Sequence, residues 1–186
     1  MKITTVAPAN IAFIKYWGVK NKELYLPYND NISMTLSGCK TTTTIESGDF
    51  DEDSFTVLKE DKTSFTVLPN GEGKQSSFWK LINKLRDEAG IKQKLKILSR
   101  NNFPTGVGIA SSASSLAALT LALVKVFSLE AYFDRQELSK IIRLGGSGSA
   151  VRSAFGGFVK FTTGETHDDC LAIQIADESH WDLVDI

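Results

Sequence analysis

The chain has 186 residues, 42% of them hydrophobic and 23% charged, which is enough apolar material for one well-packed domain. Its 21 basic and 22 acidic side chains give a net charge of −1, which excludes a surface-wide basic field for nucleic acid or an anionic membrane. Two cysteines and the lack of a long apolar run or signal-like start predict a cytoplasmic protein. His167 and His180 have no partners at metal-ligand spacing, so both are expected at the surface and no metal ligand is assigned.

Short alternating segments in the first part of the chain predict β-strands bounded by Gly, Asn, Asp or Pro. The expected strands are Lys2–Val6, Ile11–Lys15, Ser33–Leu36, Thr41–Glu46, Ser54–Leu58 and Thr63–Leu68. Two charged segments, 51–53 and 59–62, are expected to be exposed turns of a meander.

The first motif is Ala9-Asn-Ile-Ala-Phe-Ile-Lys-Tyr-Trp-Gly18. It places an ammonium, a phenol and an indole side by side where a strand ends, and the first two are suitable donors to phosphate. For the tripeptide alone, aromatic packing on the sheet with a solvated lysine is the simpler interpretation.

A helix is predicted from near Ser76 to Gly90, with Phe78, Leu81, Ile82 and Leu85 on one face, and a strand over Lys94–Ser99. The second motif follows as Asn101-Asn-Phe-Pro-Thr-Gly-Val-Gly-Ile-Ala-Ser-Ser112. Its glycines allow backbone amides to approach a ligand, and its serines stand where a helix begins. Unpaired N–H groups and the helix dipole make such a point an anion site, with phosphate as the expected anion, although a loop before a capped core helix is also consistent.

The second half predicts an all-round apolar helix over Ser112–Phe127 and a helix that starts at Asp134, with Glu137 in a capping-box position, and ends at Gly145. A short helix over Ser149–Ala154 and strands over Gly157–Phe161 and Leu171–Ile175 complete the chain. Strands, then helices, then strands indicate an α+β fold.

The third motif is Gly145-Gly-Ser-Gly-Ser-Ala-Val-Arg-Ser153. Its small residues let the backbone fold tightly around a ligand, and the planar fork of Arg152 suits a carboxylate or phosphate. A glycine-rich helix junction with an exposed arginine is the alternative.

The three motifs, in this order, resemble those of the GHMP small-molecule kinases, and most closely the diphosphomevalonate decarboxylase branch of that superfamily. The resemblance implies a GHMP-type amino-terminal domain with a left-handed βαβ arrangement, similar to domain 2 of ribosomal protein S5. Residues 1–186 are expected to form this domain, with the carboxy-terminal GHMP domain missing after residue 186.

The resemblance implies ATP-dependent decarboxylation of mevalonate 5-diphosphate to isopentenyl diphosphate, with ATP and Mg²⁺ as cofactors, mevalonate 5-diphosphate as the small-molecule partner and a homodimer as the assembly. The nucleotide site is expected at Pro104, Thr105, Gly106, Val107, Gly108, Ile109, Ala110, Ser111 and Ser112. The substrate site is expected at Tyr16, Trp17, Gly18, Val19, Lys20, Lys74, Ser147, Gly148, Ser149, Ala150, Val151 and Arg152. Ser147, Ser149 and Arg152 would hold the substrate's carboxylate, and Arg152 would orient the catalytic Asp.

The chain departs from the family pattern at two points. Val19 replaces the family's lysine and Lys20 follows one residue late, which on a strand would turn its side chain to the opposite face. The family's base is an Asp of the carboxy-terminal domain, and no residue here matches it, so the chain is expected to be incomplete for catalysis. Two alternatives stay open: a GHMP kinase acting on mevalonate or phosphomevalonate, and an inactive ligand-binding half-domain.

Overall fold

A computed structural model describes residues 1–59, 61, 63–69, 74–104, 111–181 and 183, without the side chains of 74–76. The described part contains the strands β1 (Lys2–Ile14), β2 (Val19–Asn21), β3 (Leu26–Pro27), β4 (Asn31–Gly48), β5 (Ser54–Leu58), β6 (Ser64–Thr66), β7 (Lys94–Asn101), β8 (Phe158–Phe161) and β9 (Ala172–Ala176). Its α-helices are α1 (Lys74–Ala89), α2 (Ser111–Val126) and α3 (Arg135–Leu144), and 3₁₀ helices cover Glu130–Tyr132 and Ala150–Ala154. No helix in these ranges is long and apolar enough to cross a membrane.

The 18-residue strand β4 organises a seven-stranded mixed sheet. Strand β1 runs antiparallel along one side of β4. On the other side, the first part of β4 pairs with β8 and the second part pairs with β7. The remaining order continues from β7 through β5 to β6, and from β8 to β9. The sheet therefore joins residues from both ends of the chain.

Two pairs of predicted strands are in fact single strands. Lys2–Val6 and Ile11–Lys15 belong to β1, which ends at Ile14, while Ser33–Leu36 and Thr41–Glu46 belong to β4. The register shifts between Pro8 and Ala9, opposite three extra residues of β4, 37–39. A bulge tolerates a proline and extra residues inside a strand ladder. Pro8 and residues 37–39, which suggested breaks between separate strands, therefore mark a bulge within continuous strands.

Of the two predicted meander turns, the one at 51–53 is wrong, because β5 pairs in parallel with β7 rather than with its sequence neighbour β4. The segment 59–62 does join two antiparallel neighbours, β5 and β6. The chain leaves β5, forms the hairpin partner β6, and returns through α1 to β7. Asp53 is correspondingly not an exposed turn residue: its side chain is 14% exposed and bonds Arg86.

The helices cover one face of the sheet. Alternate residues of β1, β4 and β7 are buried beneath them, including Ala7, Ile45 and Ile97, whereas Val6 and Leu98 on the opposite face stay exposed. Helix α2 is buried along most of its length and packs on β1 and β4, as its all-round apolar sequence predicts.

The helix boundaries agree with the prediction to within two residues. Helix α1 begins at Lys74 rather than Ser76, and its buried face is formed by Trp79, Leu81, Ile82 and Leu85, with Phe78 only half-buried. Asp134 caps α3 by accepting bonds from the amides of residues 136 and 137. The side chain of Glu137 does not complete a capping box but pairs with Lys140 at 2.6 Å.

Candidate functional site

Arg152 is the centre of the candidate site and is buried, with 2% of its surface exposed. Its Nε donates to Ser33 Oγ at 3.0 Å, its Nη1 donates to Asn31 Oδ1, and its Nη2 donates to Asn10 Oδ1 at 3.3 Å. These acceptors are neutral, and no carboxylate of the described residues lies within ion-pair distance. Burial lowers the pKa of Arg152 to about 10, and proximity to Tyr16 opposes this shift. A buried cation without a counter-charge favours binding of an anion.

Asn10 connects this arginine to the serine-containing loop. Its Nδ2 donates to the carbonyl oxygen of Ser149 at 3.1 Å and to Ser153 Oγ at 2.8 Å, while its Oδ1 accepts from Arg152. The amide therefore links strand β1 to the start and the interior of the 3₁₀ helix Ala150–Ala154, two segments far apart in sequence. Asn10, Asn31 and Ser33 were not predicted as site residues, although polar side chains at buried strand positions could have indicated them.

The loop after α3 brings the predicted serines together. Ser147 Oγ lies 3.2 Å from Ser149 Oγ and accepts from the amide of Ala150 at 3.3 Å. Gly146 has a φ of +88°, in the left-handed region that favours glycine. Ala150 and Val151 are buried in the adjoining 3₁₀ helix, so they shape the loop and present backbone rather than side chains.

Tyr16 lies against this loop. A Cβ placed on Gly148 would be 2.6 Å from the Cε2 atom of Tyr16, whose ring also stacks on Phe161 with centroids 6.4 Å apart. The Tyr16 hydroxyl is buried and has no hydrogen-bond partner among the described residues. Burial, followed by the effect of neighbouring Tyr25, raises the pKa of Tyr16 to about 12, so this phenol is a donor at neutral pH.

The residues after Tyr16 form a turn into β2. Trp17 is 75% exposed, and its amide donates to Asn29 Oδ1 at 3.2 Å. Gly18 has a φ of +72°. Val19 pairs with Pro27 of β3, but the register shifts between Val19 and Asn21, so the alternation of a regular strand does not apply at Lys20. Lys20 Nζ is 2.5 Å from Glu165 Oε1, and the lysine is therefore held by an acid that was not predicted.

The structure describes the two ends of the predicted nucleotide loop. At its amino-terminal end, Pro104 is exposed and follows the buried Phe103. At its carboxy-terminal end, Ser111 and Ser112 are the first two residues of α2. Thr105, Gly106, Val107, Gly108, Ile109 and Ala110 lie outside the described residues, as does the side chain of Lys74 at the start of α1. No acidic residue occupies the first turn of α2, so its helix dipole is unopposed there by a side-chain charge.

Helix α2 also connects the two predicted sites. A Cβ on Gly145 would lie 2.7 Å from a methyl group of Leu116, so the serine-containing loop begins against this helix. Leu116 is five residues after Ser111, which corresponds to about 7.5 Å along the helix axis. The start of α2 thus lies about one and a half helical turns from the point where the loop contacts this helix.

One histidine departs from the prediction. His180 is exposed and packs edge-on against Phe158, but His167 is half-buried and its Nδ1 lies 2.9 Å from Arg143 Nη2. No group of three or more His, Cys, Asp or Glu side chains in the described ranges is arranged to hold a metal ion.

The mixed sheet, its single helical layer and the loops that meet at Arg152 define an α+β domain of the GHMP type. The family model of the diphosphomevalonate decarboxylase-like N-terminal domain matches residues 7–172, and the chain belongs to this family. The resemblance inferred from the three motifs is thereby confirmed.

Relatives and solved structures agree with this assignment. Diphosphomevalonate decarboxylase of Candida albicans is 42% identical over 96% of this chain and 50% of its own length. Mevalonate diphosphate decarboxylase from Trypanosoma brucei is 41% identical with a TM-score of 0.77, over 97% of this chain and 47% of that one. MDDEF in complex with MVAPP, AMPPCP and magnesium is 34% identical with a TM-score of 0.78, over 95% of this chain and 51% of that one. The chain spans about half the length of these relatives.

Proposed function

We propose that this chain is the nucleotide- and substrate-binding part of a cytoplasmic enzyme that decarboxylates mevalonate 5-diphosphate with ATP, giving isopentenyl diphosphate, phosphate and CO₂. The observation that carries the proposal is the buried charge of Arg152, whose hydrogen-bond partners among the described residues are all neutral. The relatives of this family are named for the reaction. Both cysteines are free, which agrees with a reducing compartment.

The substrate's carboxylate would pair with Arg152 and accept hydrogen bonds from Ser147 and Ser149. The guanidinium is already oriented by three side chains, so binding costs little further ordering of the arginine. A charge-assisted hydrogen bond of this kind contributes about 1.5–3 kcal/mol. These residues would bind and orient the carboxylate that departs as CO₂.

The substrate's diphosphate would lie toward Tyr16 and the turn 17–20. The buried Tyr16 hydroxyl is suited to donate to a phosphate oxygen, because its raised pKa keeps it protonated. The exposed indole of Trp17 would cover the ligand from solvent. Lys20 would contribute a cation only after leaving Glu165.

The residues from Pro104 to Ser112 would hold the phosphates of ATP at the start of α2. Bound ATP and Mg²⁺ would supply the phosphoryl group that makes the substrate's tertiary hydroxyl a leaving group, and the charge neutralisation for its transfer. The described residues contain no ready carboxylate cluster, so phosphate oxygens would be the principal ligands of Mg²⁺.

We also propose that residues 1–186 form one GHMP amino-terminal domain and that a carboxy-terminal domain supplies the base. The support is that the chain spans about half of each relative. This chain alone is expected to bind ligand and to turn over none. Release of CO₂ and isopentenyl diphosphate by the isolated chain would contradict this part of the proposal.

One observation favours a second function, a kinase that acts on mevalonate or its 5-phosphate. The pairing of Lys20 with Glu165, together with Val19, leaves the diphosphate region with fewer available cations. Product analysis of the chain combined with its carboxy-terminal domain would separate the two reactions, because only the decarboxylase releases CO₂ from mevalonate 5-diphosphate.

Calorimetric titration tests the binding proposal directly. Mevalonate 5-diphosphate, the 5-phosphate and mevalonate are titrated into the wild type, Arg152→Gln and the control Arg135→Gln, which alters an exposed arginine at the start of α3. We expect mevalonate 5-diphosphate to bind most tightly and Arg152→Gln to weaken all three ligands at least tenfold. Equal affinities in the wild type and Arg152→Gln would contradict the proposed function.

A further inference from the structure

Lys20 is held by an acid that projects into solvent. Its Nζ lies 2.5 Å from Glu165 Oε1, and the exposed fractions of the two side chains are 20% for Lys20 and 83% for Glu165. The lysine is therefore fixed by its surroundings, while its partner is accessible to water. A pair with one solvent-exposed member is weak, so a more highly charged anion can replace the carboxylate.

The position of Glu165 is set by a tightly bonded turn. Asp169 Oδ2 accepts from the amide of Glu165 at 3.2 Å, and its Oδ1 accepts from the amide and the hydroxyl of Thr166 at 2.8 and 2.9 Å. A Cβ on Gly164 would lie 2.4 Å from Asp169 Oδ1, so the turn closes around a residue without a side chain. These contacts fix the backbone of Glu165 in a position from which its side chain reaches Lys20.

This turn adjoins the candidate substrate site. Phe161, the last residue of β8, stacks on Tyr16 and lies 3.3 Å from the Cβ position of Gly148. Glu165 follows Phe161 by four residues, and Lys20 follows Tyr16 by four residues. The ion pair therefore lies at the same corner of the fold as the buried phenol.

We propose that Glu165 determines specificity by competing with the substrate's diphosphate for Lys20. The inference rests on the proposed function, since it assigns the competing ligand. Each diphosphate that recruits Lys20 must first displace Glu165, which lowers the affinity for the diphosphate more than for a monophosphate or for mevalonate itself. Glu165 thereby reduces the difference in affinity between substrates that carry two phosphates and those that carry one or none.

The test is a double-mutant cycle on the full 186-residue chain with Glu165→Gln, Lys20→Met and the double variant. Glu130→Gln is the matched control, because Glu130 is an exposed acid beyond the other end of α2. Dissociation constants for mevalonate 5-diphosphate, mevalonate 5-phosphate and inorganic pyrophosphate are measured by calorimetry, and urea unfolding verifies that each variant is folded.

We expect Glu165→Gln to tighten binding of both diphosphate ligands about two- to fivefold, with a smaller change for the monophosphate. Glu130→Gln should change nothing, and Glu165→Gln should have no effect in the Lys20→Met background. A full effect in that background would overturn the inference, because the carboxylate would then act without Lys20. Weaker binding in Glu165→Gln would overturn it too, since Glu165 would then be positioning the lysine for the ligand.

The pyrophosphate titration separates this inference from the proposed function. If the wild type binds pyrophosphate but not mevalonate 5-diphosphate, the proposed function fails. The double-mutant cycle with pyrophosphate then still tests whether Glu165 competes for Lys20. If pyrophosphate binds none of the variants, Lys20 serves no diphosphate and the inference is overturned.

Discussion

Tyr16 and Gly148 are in such close contact that no side chain fits between them. A Cβ on Gly148 would lie 2.6 Å from Cε2 and 3.0 Å from Cζ of the tyrosine ring, and 3.3 Å from Phe161. The ring also stacks on Phe161, which restricts its movement away from the loop. We propose that the Tyr16 phenol faces the substrate's diphosphate. Its position depends on the absence of a side chain at Gly148.

Gly148→Ala is predicted to displace Tyr16. Overpacking of this kind costs about 1–3 kcal/mol of unfolding free energy, measured by urea denaturation. Burial raises the pKa of Tyr16 to about 12, so displacement should return its ionisation toward the ordinary value of 10.0, which ultraviolet titration detects. Gly38→Ala is the control, because nothing lies within 4 Å of its Cβ position. Equal stability and titration in the two variants would show that the ring moves aside without cost.

Arg152→Lys is predicted to destabilise the fold although it keeps the charge. A lysine ammonium cannot reproduce the planar fork that bonds Asn10, Asn31 and Ser33, so buried polar groups would lose partners. Each such loss costs about 1–3 kcal/mol, and we expect a decrease of about 2 kcal/mol or more in the free energy of unfolding. The same change at exposed Arg135 should cost less than about 0.5 kcal/mol. Comparable losses at both positions would show that the hydrogen bonds of the Arg152 guanidinium do not stabilise the fold.

The sequence predicted those features that depend on neighbouring residues. Asp134 caps α3 because an N-cap carboxylate accepts from amides two and three residues later. The apolar run of α2 predicts its burial for the same local reason. Tyr16 lies against the loop of Ser147 and Ser149, and Asn10 links that loop to Arg152. The resemblance, not the spacing, grouped these residues, and their binding role stays a prediction.

The partners of these residues were not predicted, because they come from distant segments. Asn10 and Asn31 contact Arg152 across more than 100 residues of sequence, and Glu165 meets Lys20 through a turn whose shape depends on Gly164. The continuity of β1 and β4 was missed because a bulge and a turn use the same residues. Contacts between residues this far apart leave no periodic pattern in the sequence from which they could be predicted.

His167 is predicted to make stability depend on pH in the weakly acidic range. Its Nδ1 accepts from Arg143 Nη2 at 2.9 Å, which requires a neutral ring. Burial lowers the pKa of His167 below its ordinary 6.5; the charge of Arg143 acts in the same direction and Asp168 opposes it. Because the unfolded chain takes up the proton first, stability is full above pH 6.5 and is lost as the pH falls toward the lower folded value.

Urea unfolding at pH 7.5, 6.5 and 5.5 measures this dependence. One proton contributes at most about 1.4 kcal/mol per pH unit. His167→Gln keeps an acceptor for Arg143 without titrating, so it should flatten the decline, whereas His180→Gln, at an exposed position, should leave it unchanged. Asp30 and Asp169 do not interfere, because hydrogen bonds lower their pKa values below the ordinary 3.8. An unaltered slope in His167→Gln would assign the pH dependence to another group.

Asp53→Asn is predicted to weaken the connection between α1 and the parallel strands. Asp53 Oδ1 accepts from Arg86 Nη2 at 2.6 Å and from the amide of Leu95 at 2.7 Å, and both charged side chains are 14% exposed. An asparagine keeps the Oδ1 acceptor, but it lacks the negative charge opposite Arg86 and replaces Oδ2, which lies 4.0 Å from Lys94 Nζ, with an NH₂ donor. The free energy of unfolding should therefore fall by about 1–3 kcal/mol. Asp51→Asn removes the same charge from an exposed position of the same loop and should cost less than about 0.5 kcal/mol. Equal losses would indicate that the charge of the loop matters and not the bonds made by Asp53.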